Sequence, residues 1–188
     1  YIMDFYLIAK LGHLIGIALG VGGAIASDFL FIRSIKDKKI SKDELGLLKG
    51  LSTIVWYGLF FFLLSGLTFF YLQYVQKGEI LYFNSEPFLG KLTIFCILFV
   101  NAFIFHYKVY PKLEDAQTKK SFEMDITKHA KLFAIVGSIS IVSWVYVLLL
   151  GTFRSITQKY FDYGDILNIY AGLLSVSIIV AYYILKKK

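Results

Sequence analysis

The chain has 188 residues, 57% of them hydrophobic and only 18% charged, with a mean hydropathy of +0.66. That composition excludes an ordinary soluble domain of this size and reads as an integral membrane protein. The formal charge of +7 follows from membrane topology and attraction to anionic lipid, so it is no argument for nucleic acid.

A bilayer core of about 30 Å needs roughly 20 apolar residues in a helix. Five segments answer to this: Phe5 to Ile32, Leu51 to Val75, Leu92 to Tyr107, Leu132 to Gly151 and Ile166 to Leu185. The third is the shortest and depends on its flanks. Unbroken runs such as LFFFLLSGLTFFYL lack the alternation of a transmembrane barrel. The expected fold is therefore all-α, with residues 1–188 forming a single polytopic bundle of five transmembrane helices.

In the first segment Ala9, Gly12, His13, Gly16, Gly20, Gly23, Ala24 and Ser27 share about a third of the helix circumference. Gly12, Gly16 and Gly20 form two overlapping GxxxG patterns, which let membrane helices touch backbone to backbone. A flat cofactor would use the same bare surface. His13 on that face favours the cofactor, because ionisable groups inside a bilayer are costly and mark function. Lys10 is placed either to snorkel outward or to pair with an acidic group such as a porphyrin propionate. Asp28, close to Arg33 and a basic connection, reads as structural. The length of this segment and the preceding Asp4 argue for a permanent span rather than a cleaved signal peptide.

Six basic residues lie between Arg33 and Lys49, six between Lys108 and Lys131, and three close the chain, whereas the intervening connections hold Lys77, Lys91, Arg154 and Lys159. The positive-inside rule then places the N-terminus outside and the C-terminus inside. In the first basic connection Ser41 stands three residues before Glu44, the spacing of a capping box that starts the second helix. The connection FNSEPFLG, with Asn84, Ser85 and Pro87, reads as a turn. The second basic connection, from Pro111 to Lys131, is expected to extend the helices on either side beyond the membrane.

The third segment carries a second imidazole, His106, on a face shared with Phe95, Phe99 and Ala102, while Asn101 and Cys96 point elsewhere and are weaker candidates, Cys96 being expected to pack in the core. Being the sole cysteine, it excludes an internal disulfide and an all-cysteine metal site. At 1.5 Å per residue His13 lies about 12 Å and His106 about 21 Å below the outer edge, a mismatch of about 9 Å that tilt and ring reach could close. His13 and His106 are thus candidate axial ligands of one haem, beside Lys10, Gly16, Gly20 and Gly23. His129, at the start of the fourth segment, is a boundary residue or the alternative partner of His106. Three histidines cannot supply two bis-histidine haems. Ser52 with Trp56 and Ser140 with Trp144 repeat one spacing in the second and fourth segments, which reads first as two packing or interfacial tryptophans. Clustered zinc or copper ligands, nucleophile elbows and phosphate loops are all missing from the sequence.

Lys10-x-x-His13, followed by Gly23 and a basic residue at the inner end, resembles the first helix of the HemJ type of protoporphyrinogen oxidase and is similar to that of CopD-like bacterial membrane proteins. Lys91 with His106, and the SGL at Ser65 to Leu67, resemble later parts of the HemJ pattern. The resemblance covers roughly residues 6 to 110. It implies a small helical bundle binding b-type haem, with His13 as an axial ligand and Lys10 beside the porphyrin.

The expected function is that of a b-type haem-binding redox protein of a bacterial cytoplasmic membrane. It would hold the haem between the first and third helices and pass electrons from quinol, a porphyrinogen or a redox partner protein, as a homo-oligomer or a subunit of a complex. The alternative is a non-catalytic subunit that docks partner helices through its glycine-rich first helix. A role in copper handling is disfavoured by a content of one cysteine and two methionines.

Overall fold

The computed structural model describes residues 2–36, 40–77, 85–118 and 127–186, which are helical almost throughout. The elements are α1 (Ile2–Lys36), α2 (Lys42–Lys77), α3 (Glu86–Ile104), a π-helical turn (Phe105–Val109), α4 (Tyr110–Thr118), α5 (Ala130–Thr152), α6 (Arg154–Tyr160) and α7 (Tyr163–Lys186). Five helices are long and apolar enough to cross a membrane: α1, α2, the continuous α3–α4 rod, α5 and α7. Apolar side chains such as Phe29 and Val176 remain exposed on them, as a surface facing hydrocarbon requires.

Start and stop signals work locally as their chemistry dictates. The Glu44 amide donates to Ser41 Oγ at 3.1 Å and the Ser41 amide donates to Glu44 Oε2 at 2.9 Å, so both halves of the capping box form and satisfy two otherwise unpaired donors of α2. Ser85 precedes α3, with Pro87 in its first turn, where a missing N–H costs nothing. Asn84 lies outside the described residues.

The third span is longer than its apolar core suggests, because it runs on through Pro111 to Thr118. Proline cannot donate to the carbonyl four residues back and crowds it. The chain answers with the π turn just before Pro111, in which the Tyr110 amide reaches Phe105 O, and the rod continues without a break. The helix thus continues beyond its apolar stretch on this side of the connection, whose residues 119–126 lie outside the described ones.

The helices pack as one bundle in which α1 lies along α2, α5 packs against α1, α3 and α7, and α3 also meets α7. Its core is built in three levels. Leu48, Val109, Leu113, Phe133 and Leu185 gather at the lysine-rich end; Ala24, Leu59, Leu98 and Trp144 fill the middle; Ile94, Tyr146, Ile166 and Tyr170 close the other end. Residues late in one helix meet residues early in the next, as antiparallel neighbours must. Helix α5 is the hub, with 44% of its apolar window buried against 11–22% for the other spans. Cys96 reverses its expectation and is exposed. Ile94 and Leu98 face inward on α3, and at 100° per residue Cys96 stands about 200° from each.

The α1–α2 contact is the closest in the bundle. A Cβ added at Gly16 would lie 2.8 Å from the Phe62 amide nitrogen, and one added at Gly58 would lie 2.6 Å from the Gly20 amide nitrogen. Only glycine allows such backbone contact, as in GxxxG pairs. Gly58→Ala is therefore expected to destabilise the protein by about 1–3 kcal/mol through overpacking. Gly66→Ala, on the same helix with open space around it, should change stability by less than about 0.5 kcal/mol. Thermal unfolding in detergent compares the two.

Candidate functional site

His13 sits at the end of the α1–α2 contact away from the lysine-rich connections. Gly12 and Gly16 let α2 come close enough for Ser65 to face it: His13 Nδ1 and Ser65 Oγ are 2.9 Å apart. Ser65 Oγ is also 3.0 Å from Phe62 O, to which it donates. A hydroxyl has one proton, so Ser65 can only accept from the histidine. The network thus assigns the proton to His13 Nδ1 and leaves the Nε2 lone pair available in the neutral ring. The imidazole is half-buried, 4.2 Å from the Phe62 ring at 34° and 5.7 Å from Phe69 edge-on. Lys91, half-buried at the start of α3, is close enough for its charge to act on His13, and Lys10 is exposed one turn before it on α1. An Nδ1–H held by an oxygen acceptor, with Nε2 left open, is how proteins orient a metal-ligating histidine.

The other predicted ligands are not at this site. His106 lies in the π turn, exposed, edge-on to Tyr107 at 5.0 Å. It follows Lys91 by fifteen positions on one rod, or about 22 Å at 1.5 Å per residue. The expected His13–His106 pair is therefore not brought together; the depth mismatch is larger than the boundaries suggested, because the third helix starts before its apolar stretch. His129 precedes α5, where the Lys112 ammonium donates to its Nε2 at 2.9 Å, so that nitrogen is already engaged. Among the described residues no three His, Cys, Asp or Glu side chains cluster as a metal site.

The glycine face is also occupied. Gly16 and Gly20 meet Gly58 and Phe62 of α2, a Cβ at Gly23 would lie 2.9 Å from Val55 Cγ2, and one at Gly20 would fall within the Trp144 ring. The groove expected to receive a flat cofactor or a partner helix is filled by the chain's own α2 and α5.

A second polar locus lies between α1, α2, α3 and α5 toward the lysine-rich end. A cavity of about 80 Å³ is lined there by Asp28, Asn101 and Trp144, with Ser27, Ser52 and Ser140 and a larger number of apolar residues. Asn101 is 4% exposed and Trp144 2%. Asn101 Nδ2 donates to Val136 O at 3.0 Å, which fixes the amide and leaves Oδ1 over. Asp28 Oδ2, Asn101 Oδ1 and Trp144 Nε1 are buried with no hydrogen-bond partner. Each such orphan costs about 1–3 kcal/mol. Elsewhere in the same core polar groups are satisfied: the Tyr146 hydroxyl donates to Ile166 O at 2.9 Å, and Ser143 Oγ lies 2.9 Å from the Tyr170 hydroxyl. Asp28 Oδ2 has no hydrogen-bond partner among the described residues, and Lys38 and Lys39 of the basic connection lie outside them. The Ser–Trp pairs of the second and fourth spans converge on this cavity, and Trp144 is a core residue rather than an interfacial one.

No family model, curated protein or solved structure matches the chain.

Replacing Ser65 by Ala removes the acceptor that holds His13. The expected loss of stability is about 0.5–1.5 kcal/mol, with Ser65→Thr retaining most of it. Nitrogen NMR of the histidines checks the cause: His13 should be protonated at Nδ1 in the native protein and shift toward the Nε2–H form in Ser65→Ala.

Proposed function

We propose that this chain is a multi-pass redox protein that binds b-type haem through His13. The observation that carries the reading is the hydrogen-bond chain from His13 Nδ1 to Ser65 Oγ to Phe62 O, which presents Nε2 as a preorganised donor atom. The donor set fits a single axial ligand, and with Gly16, Gly20 and Gly23 packed against α2 and α5 a haem would be held at the open Nε2 of His13 and not along the length of the glycine file. Phe62 and Phe69 give the ring an apolar wall, and Lys10 and Lys91 are the cations available to propionates. The haem supplies one-electron redox chemistry when bound. What the chain contributes is ligation, orientation of the imidazole and a dry surround.

The excess of lysine and arginine on two connections and the C-terminus orients the protein with that end in the cytoplasm. His13 then faces the outer half of a bacterial cytoplasmic membrane, where quinol in the lipid or a partner protein could deliver electrons.

Absorption spectroscopy of the detergent-purified protein tests the reading. The expected result is a Soret band, with α and β bands on dithionite reduction, lost in His13→Ala and retained in His106→Ala and His129→Ala. A colourless protein that takes up no haem on reconstitution, or a spectrum unchanged in His13→Ala, would refute it.

A further inference from the structure

The cavity at Asp28 is separate from His13 and independent of the haem reading. Three features constrain what it holds. First, Asp28 brings a carboxyl group into an apolar span with Oδ2 buried and unpartnered, and no cation pairs with it among the described residues. Charge inside a membrane is costly unless neutralised. A single positive charge balances it, whereas a divalent ion would leave a net charge of the opposite sign in place.

Second, two of the three orphan atoms, Asp28 Oδ2 and Asn101 Oδ1, are acceptors, and Ser27, Ser52 and Ser140 are the other polar residues of an otherwise mostly apolar wall. This all-oxygen set is the one preferred by hard cations rather than by zinc, copper or haem iron. Asn101 is nine-tenths buried and locked by its bond to Val136 O, so its carbonyl end is built into the wall. Trp144 Nε1–H, the orphan donor, can be satisfied by a water that accompanies the ion.

Third, the space is small. At about 80 Å³ it is well under the roughly 150 Å³ of a cavity that admits benzene, and each water needs about 10–15 Å³. An aromatic ring is therefore too large, while an ion with a few waters fits.

We propose that this cavity is a binding site for a monovalent alkali cation of sodium size. Asp28 supplies the neutralising carboxylate, Asn101 a fixed carbonyl, the three serines the remaining protein oxygens, and Trp144 a donor to bound water.

Thermal unfolding of the detergent-purified full chain in sodium chloride against choline chloride at equal ionic strength tests it. Sodium should raise the midpoint saturably. That response should be lost in Asp28→Asn and weakened in Asn101→Ala, yet be intact in Ser175→Ala, whose hydroxyl donates to Ala171 O on an exposed face. If Asp28→Asn does not fold, equilibrium dialysis of the native protein with radioactive sodium replaces it, with saturable binding that excess lithium or potassium displaces as the expected result. Equal midpoints in the two salts, or no saturable sodium binding, would overturn the proposal. So would an infrared C=O stretch of a protonated buried carboxyl in sodium buffer that disappears in Asp28→Asn, since a proton would then be the neutralising charge.

Discussion

The backbone contact between α1 and α2 is the constraint on which the rest of the molecule depends. Hydrocarbon offers no hydrophobic drive between helices, so they associate through close packing and through polar groups that find each other. Glycines at 16, 20 and 58 let two long helices run side by side over most of their length. That approach brings the Ser65 hydroxyl within reach of His13 at one end. It also brings Ser27, on that same face, and the adjacent Asp28 to the edge of the contact, where α3 and α5 close a cavity together with α2. One packing decision thus sets both polar loci.

Helix α5 does the complementary work. Its indole at Trp144 fills the space over Gly20, and its carbonyl at Val136 receives the Asn101 amide. Its hydroxyl at Ser138 accepts from Ser177 of α7 at 3.0 Å. The third rod meets this hub along α3 and then continues unbroken through Pro111. A proline break would have detached Leu113 and Ala116 from the lysine-rich core; the π turn absorbs the lost hydrogen bond and keeps both residues buried.

Much of this is legible in the sequence where a physical rule acts locally. Apolar length gives the five spans, Ser41 and Glu44 give the start of α2, and the glycine file announces a close contact. What a glycine file does not encode is its partner, since a helix backbone, an indole and a porphyrin all need the same bare surface. His13 is singled out by its cost in lipid, but its orientation depends on Ser65, fifty-two positions away, and no local pattern links the two. The Ser–Trp spacing on α2 and α5 is visible, yet its meaning is tertiary: the pairs face one cavity only because both helices flank α1. The surroundings of Asp28 are tertiary for a related reason. Proximity along the chain suggests a basic partner, whereas the helix turns its carboxyl toward the interior.

The bond from Ser65 to Phe62 O gives the His13 ring a fixed polarity. A solvated histidine can pass a proton from one nitrogen to the other through water and exchange the roles of its two faces. Here Nδ1 faces a hydroxyl whose only proton is directed at a helix carbonyl, so a swap would require Ser65 to turn that proton to Nδ1 and give up its bond to Phe62 O. Any proton or metal that reaches His13 therefore meets it from one side only, and what leaves must leave the same way. In the proposed function the ring would serve as a terminus for charge arriving at Nε2, not as a relay across the α1–α2 contact.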